Sequence, residues 1–373
     1  MSARLTGPLG DALARLPLVP RRHALAAPLE QRVQQLTDLA RQAADTENPA
    51  TAASVHNRAA LLASDRGLPG LARVLCLNHA GFYLAHRPLP LDLARYALEP
   101  LVNLAHLELR AGNGIPALAI LDELLRAVAD NDDATLPGGL IIPLTGLTVS
   151  SADRADVHKW LTDIQVFEGA RALARAGRRA EAHFHLRQST DRSDRLFEAR
   201  QVAVVAMALE GRTALARALA RDTPAEQPWE HAIAAALTVA CTLLDGAPAA
   251  EQAETMLRAH AAVTPRQGSE VFDTRLVLTV ADLATAAGRL PDAARVYLTA
   301  VGRTLADPEG YSARDLARHC LADGLPAEQR HRLAAIAVEC GVGGPATLTT
   351  DHDNRITAVV TKAAAKSLSQ SRP

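Results

Sequence analysis

Lysine, aromatic residues and cysteine are all scarce in this 373-residue chain. Lysine occurs only at Lys159, Lys362 and Lys366, so arginine carries nearly all of the positive charge. The formal net charge of -1 at pH 7 leaves no basic excess, which argues against a nucleic-acid-binding body and against a membrane-surface protein. The four cysteines lie far apart, which favours reduced, buried thiols over disulfides or a metal cluster.

Several familiar signals are also missing. No apolar run is long enough to cross a bilayer, and no sustained apolar stretch follows the N-terminal charge, so we expect a soluble, cytoplasmic protein. The sequence contains no glycine-rich phosphate loop, nucleophile elbow, HExxH motif or paired-cysteine zinc spacing. We therefore predict no cofactor, no metal and no catalytic residue. A triad assembled in space would leave no such signal, so enzymatic activity stays open.

The residues that are abundant favour helix. Hydrophobic residues make up 48% of the chain but aromatic residues only 3%, so alanine and leucine must build the core. Both have high helix propensity, and runs of β-branched residues are few. The composition predicts an all-α protein.

A glycine followed five residues later by an alanine recurs along the chain. The glycines are Gly67, Gly112, Gly177, Gly211 and Gly288, and the alanines are Ala72, Ala117, Ala182, Ala216 and Ala293. Seven residues before four of these glycines stands another alanine, with Val204 as the exception. Glycine ends a helix readily in the left-handed conformation, and two antiparallel helices approach closely only where small side chains face each other. The pattern predicts successive helix pairs.

This arrangement resembles the tetratricopeptide-repeat (TPR) superfamily in a degenerate form, over roughly residues 53–305. The step from Gly177 to Gly211 equals the 34-residue period of that family, whereas the other steps are longer. The resemblance implies a TPR-like α-solenoid, a right-handed superhelix of antiparallel helix pairs. It also implies that the first helix of each pair lines a concave groove.

The expected domain organisation follows from the same pattern. We predict an N-terminal lead-in and capping helix over 1–50, a helical repeat domain over 51–345 and a polar tail over 346–373. Residues 134–152 form an apolar insert that glycine, proline and β-branched residues keep from being a helix. The segment 136–149 is either a lid over the concave face or a plain connector packed on the outer helices.

Candidate binding residues are polar side chains at the groove positions that the resemblance implies, counted back from each turn glycine. Asparagine can bridge the N–H and C=O of a peptide, and arginine can hold a carboxylate with two hydrogen bonds. Trp160 is added because it would lie beneath a lid. The groove candidates are Asn57, Arg58, Asn103, His106, Trp160, Arg171, Arg200, Gln201, Arg275 and Asp282.

The sequence thus favours a non-enzymatic scaffold, an adaptor or regulator that binds a peptide or protein segment in its groove. The alternative is a small-ligand sensor or enzyme whose pocket is closed by the 136–149 loop. No nucleic-acid or membrane partner is expected. The apolar insert could also meet its counterpart in a second copy, which leaves a homodimer open.

Overall fold

The computed structural model describes residues 6–21, 25–46, 48–186, 195–342 and 358, so the predicted tail lies almost wholly outside the described residues. The described part of the chain is predominantly helical, and the predicted all-α class is confirmed. Its helices are α1 (Gly7–Arg15), α2 (Leu29–Thr46), α3 (Pro49–Asp65), α4 (Pro69–Leu84), α5 (Leu91–Arg110), α6 (Gly114–Asp130), α7 (Ser151–Arg175), α8 (Arg179–Leu186), α9 (Glu198–Leu209), α10 (Thr213–Asp222), α11 (Pro228–Leu244), α12 (Ala250–Ala261), α13 (Glu270–Ala286), α14 (Leu290–Ala306), α15 (Gly310–Ala317) and α16 (Ala327–Glu339). A 3-10 helix (Cys320–Gly324) and two short strands, β1 (Ala134–Leu136) and β2 (Leu140–Ile142), accompany them.

The turn glycines adopt the left-handed conformation that the pattern predicts. Their φ angles lie between 71° at Gly67 and 86° at Gly112, and Gly246 and Gly341 end α11 and α16 with φ of 73° and 71°. Side chains other than glycine rarely take this conformation, so each glycine allows a helix to stop and the chain to reverse within a few residues.

The alanines that follow these glycines are fully buried. None of the five exposes any measurable surface: Ala72, Ala117, Ala182, Ala216 and Ala293. Small side chains at a crossing let two paired helices approach closely, which accounts for the recurrence of alanine.

Two compact units make up the chain. The early unit comprises residues 28–176 and the described part of 341–373, and the late unit comprises residues 177–340 and the described part of 1–27. In the early unit each helix from α2 to α7 packs on the next, and the first helices α3, α5 and α7 also contact one another in that order. These alternate helices form one wall of the early unit, as in a helical repeat.

The late unit repeats this arrangement. Its first helices α9, α11, α13 and α15 contact one another in order, and α10, α12 and α14 connect them. The short helix α1 does not extend this series. It packs across α13 and α11, and its Ala12 and Leu13 belong to the hydrophobic core of the late unit.

The apolar insert forms a hairpin in which β1 pairs with β2, Thr135 standing opposite Ile141. Strand β1 contacts α6, the second helix of its pair, and Leu89 in the loop after α4 bonds to Leu147 and Val149. Leu136 and Leu147 are buried in the core of the early unit. The segment therefore packs on the second helix of the α5–α6 pair and shares the core of the early unit.

Helix α7 follows this insert and begins at Ser151. Its N-cap is Ser150, whose Oγ atom accepts the backbone N–H of Asp153 at 3.0 Å. Among the described residues no helix combines the length and the apolar character that a membrane span requires.

Candidate functional site

A chain of polar side chains crosses the first helices of the early unit. The Asn57 side chain on α3 donates to a carboxylate oxygen of Glu99 on α5 at 3.2 Å. Asn103 donates to the Asn57 amide oxygen at 3.0 Å, and Nδ1 of His106 lies 3.3 Å from the Asn103 amide oxygen. With Nδ1 protonated, all three hydrogen bonds run in one direction and end on the Glu99 carboxylate. Asn57, Asn103 and His106, three of the predicted residues, are thus brought together.

This network of polar side chains continues onto α7. Nε2 of His106 lies 3.6 Å from the Glu168 carboxylate, and Arg171 donates to the same carboxylate at 3.1 Å. Glu99 lies at the other end of the network. Burial raises the pKa of Glu99, and the hydrogen bond from Asn57 opposes that rise. The two carboxylates at the ends hold the amides and the imidazole between them in fixed orientations.

Each asparagine in this network keeps unused bonding capacity. A side-chain amide offers two N–H groups and two lone pairs, and Asn103 spends one of each within the network. Asn57 and Asn103 are both partly exposed. The arrangement can therefore bind a peptide group without losing its internal bonds.

Two of the other candidates in the early unit lie apart from this network. Arg58 is exposed and makes no hydrogen bond or ion pair with the described residues. Trp160 is half-buried and packs against the hydrophobic core of the early unit. Packing explains Trp160 without a ligand.

In the late unit, Gln201 and Asp282 are nearly inaccessible, at 0% and 1% exposure. Gln201 accepts the N–H of Leu18 at 2.8 Å and donates to the C=O of the same residue at 2.7 Å. The Asp282 carboxylate binds Arg15 and lies 3.0 Å from Nε2 of His319. Both predicted residues are occupied by the N-terminal segment of the same chain.

The remaining candidates of the late unit are more open. Arg200 is half-buried beside Gln201 on α9. Arg275 is exposed, with its guanidinium 3.8 Å from the Asp315 carboxylate. It borders a polar cavity of about 250 Å³ together with Arg15, Arg318 and His319. This cavity lies at the end of α1, and three of its six lining residues are arginines.

One group of side chains has the composition of a metal site. Potential ligand atoms of Asp282, His319 and Cys320 lie within 4.8 Å of one another. However, the N–H of Leu321 donates to Nδ1 of His319, so Nε2 carries the proton and donates to Asp282. Because Arg15 neutralises the same carboxylate, these groups already satisfy one another.

A second cavity, of about 310 Å³, lies between α12, α13 and α14. Burial lowers the pKa of His260 to about 4, and the nearby Arg303 acts in the same direction. Burial also raises the pKa of Asp273 to about 6. No spacing in the sequence indicates this cavity, because its lining residues come from three helices and from the loop after α12.

Three acids that complete the bonded networks were also missed, although the repeat positions could have found them. Glu168 stands nine residues before Gly177, as Asn103 does before Gly112. Glu99 and Glu198 stand thirteen residues before Gly112 and Gly211, the distance by which Arg275 was chosen. Comparison of the chain with family models, with curated proteins and with solved structures finds no significant match.

Proposed function

We propose that the protein is a non-enzymatic scaffold, an adaptor or regulator that binds a peptide or protein segment along the first helices of its early unit. The site would consist of Asn57, Asn103, His106 and Arg171. The proposal includes the finer fold assignment, a TPR-like right-handed superhelix. The ordered packing of alternate helices, the turn glycines and the buried alanines support that assignment.

The functional proposal depends on one observation. Gln201 and Asn57 occupy the same repeat position, ten residues before the turn glycines Gly211 and Gly67. At that position the Gln201 amide holds both main-chain groups of Leu18, in the manner expected for a bound peptide. An amide at the matching position of the early unit has the same chemistry and is partly exposed, so it can accept a segment of another molecule.

The test uses peptides selected from a displayed random library against the immobilised full-length protein. Their affinities are then measured by fluorescence polarisation for wild type and for the double variant Asn103→Ala/Arg171→Ala. The variant loses the Asn103 amide that bridges a peptide group and the Arg171 guanidinium that binds a carboxylate. Binding should weaken at least tenfold, which corresponds to about 1.4 kcal/mol.

The matched control is Asn78→Ala/Arg126→Ala. Asn78 is exposed on α4 and Arg126 on α6, and both helices are second helices of their pairs. Arg126 binds Glu123 three residues before it, as Arg171 binds Glu168. The control should bind like wild type. Equal affinities for all three proteins, or a selection that yields no binding peptide, would contradict the proposal.

A further inference from the structure

The first helices α9, α11, α13 and α15 form the wall of the late unit. The N-terminal segment of that unit lies on this wall in the manner of a ligand. Helix α1 packs across α13 and α11, and the chain from Leu16 to Arg21 then continues without regular secondary structure. This segment is not one of the paired helices, and its main contacts on the wall are with residues about 180 or more positions later in the sequence. Recognition segments of partner proteins dock on such surfaces either as a helix or as an open chain held by its main-chain groups.

The wall holds the main chain of this segment independently of its side chains. The Gln201 amide bonds to both the N–H and the C=O of Leu18, and it also donates to the C=O of Leu196 at 3.0 Å. The bond to Leu196 fixes the orientation of the amide. A groove residue that is preset in this way can accept any extended chain in the same register.

Charge adds selectivity. Arg15 pairs with Asp282, and Arg21 pairs with Glu198, whose exposure is 8%. Nearly buried carboxylates are poorly solvated and require a cationic partner, and a guanidinium can bind them with directed hydrogen bonds. The wall therefore presents acids at a fixed separation, and the segment presents arginines that match them.

Leucine side chains supply the apolar part of the contact. Leu13, Leu16 and Leu18 are all buried, and they belong to the same hydrophobic cluster as Val204 and Ile233 of the wall. In sequence order the leucine anchors and the paired arginines are Leu13, Arg15, Leu16, Leu18 and Arg21.

We infer that the wall of the late unit is a recognition site for leucine- and arginine-bearing segments of a partner protein, and that residues 7–21 occupy this site as an intramolecular ligand. The inference rests on the proposed function and extends it by naming the ligand chemistry of a second wall. A partner segment with the same order of leucine and arginine competes with residues 7–21, so partner binding releases the N-terminal segment.

The test uses full-length protein and a fluorescent peptide that spans residues 6–21. Wild type should bind the peptide weakly, because its own segment competes. The variant Arg15→Ala/Arg21→Ala removes both charge pairs of the internal ligand, keeps the wall residues in place and should bind at least tenfold more tightly. Adding Gln201→Leu to that variant should reverse the gain. A peptide with Arg15→Glu and Arg21→Glu should not bind to any of the proteins.

Hydrogen exchange on wild type provides a measurement that needs no variant. Excess unlabelled peptide should accelerate exchange of the Leu18 amide in the protein, because the bond to Gln201 is released. Tight binding that is unchanged by Gln201→Leu, no gain in the double arginine variant, or unaltered Leu18 exchange would overturn the inference. A wild-type dimer that becomes monomeric when the peptide is added would assign the wall to a second copy and also overturn it.

The variant Asn103→Ala/Arg171→Ala separates this inference from the proposed function. It lies in the early unit and should leave binding of the 6–21 peptide unchanged. Loss of library-selected peptides together with normal binding of the 6–21 peptide would support both sites independently. Failure of only one measurement identifies which of the two sites is wrong.

Discussion

Substituting Gly114 by alanine tests the close approach of the helices on which the whole architecture depends. Gly114 is the first residue of α6 and faces the last turn of α7. An added Cβ atom would stand 2.2 Å from the carbonyl oxygen of Ala172 and 3.0 Å from the backbone nitrogen of Ala176. Both neighbours are backbone atoms, which no side-chain rotation can move. The two helices must therefore separate by about 1 Å to restore ordinary contact.

The expected cost follows from that displacement. Overpacking of this kind destabilises a core by about 1–3 kcal/mol, and the helix propensity of alanine returns at most about 1 kcal/mol. We expect a net loss of about 2 kcal/mol in the early unit. The control is Gly81→Ala, within α4, where an added Cβ meets no atom within 4 Å. It should raise stability by about 0.5–1 kcal/mol, since alanine favours helix.

The assay uses the two tryptophans of the chain. In a Trp229→Phe background, Trp160 on α7 becomes the sole tryptophan and reports unfolding of the early unit in urea. With a slope of about 2 kcal/mol per molar urea, Gly114→Ala should lower the midpoint by about 1 M. A midpoint equal to or above that of the background protein, together with the expected rise for Gly81→Ala, would refute the close approach.

Two further predictions concern the early unit. The pKa of His79 is well below its usual range because of burial, with the neighbouring His56 acting in the same direction. Above the unfolded pKa of about 6.5 the histidine is neutral in both states, so its titration does not change the free energy of unfolding. Below that pH the unfolded state takes up a proton that the buried ring does not, and the free energy of unfolding falls. The urea midpoint should therefore drop between pH 7.5 and 5.5, and it should drop less in His79→Leu. The Asp65 carboxylate binds Arg32 at 2.5 Å and Arg110 at 2.8 Å. Because Arg32 is largely buried, Asp65→Asn should lower the free energy of unfolding in urea by about 1–3 kcal/mol. The exposed control Asp38→Asn should cost less than about 0.5 kcal/mol, and equal losses in the two variants would contradict the role of burial.

The helix pairs could be predicted because their signals are local. Whether a glycine can reverse the chain depends on its own φ angle, and whether two helices can approach depends on the side chain at the crossing. Gly288 and Ala293 illustrate both, since the glycine has a φ of 75° and the alanine is fully buried. Such features repeat with the helix pairs and therefore appear as spacings in the sequence.

The bonded partners of the candidate residues could not be predicted in the same way. The repeat positions place Asn103 and Glu168 on first helices, but they do not say which side chain of a neighbouring helix each one meets. That choice depends on the axial offset between α5 and α7. An offset of one turn, about 5.4 Å, would separate His106 from Glu168, which now lie 3.6 Å apart.

By itself the sequence determined the all-α class, the turns and the small residues between paired helices, because each of these depends on a few neighbouring residues. Only the tertiary structure decided that Leu18 lies against Gln201, 183 residues further along the chain. Nothing local favours that pairing. It is stabilised by buried leucines, matched charges and two hydrogen bonds between the Gln201 amide and Leu18, all of which exist only when both segments are folded together.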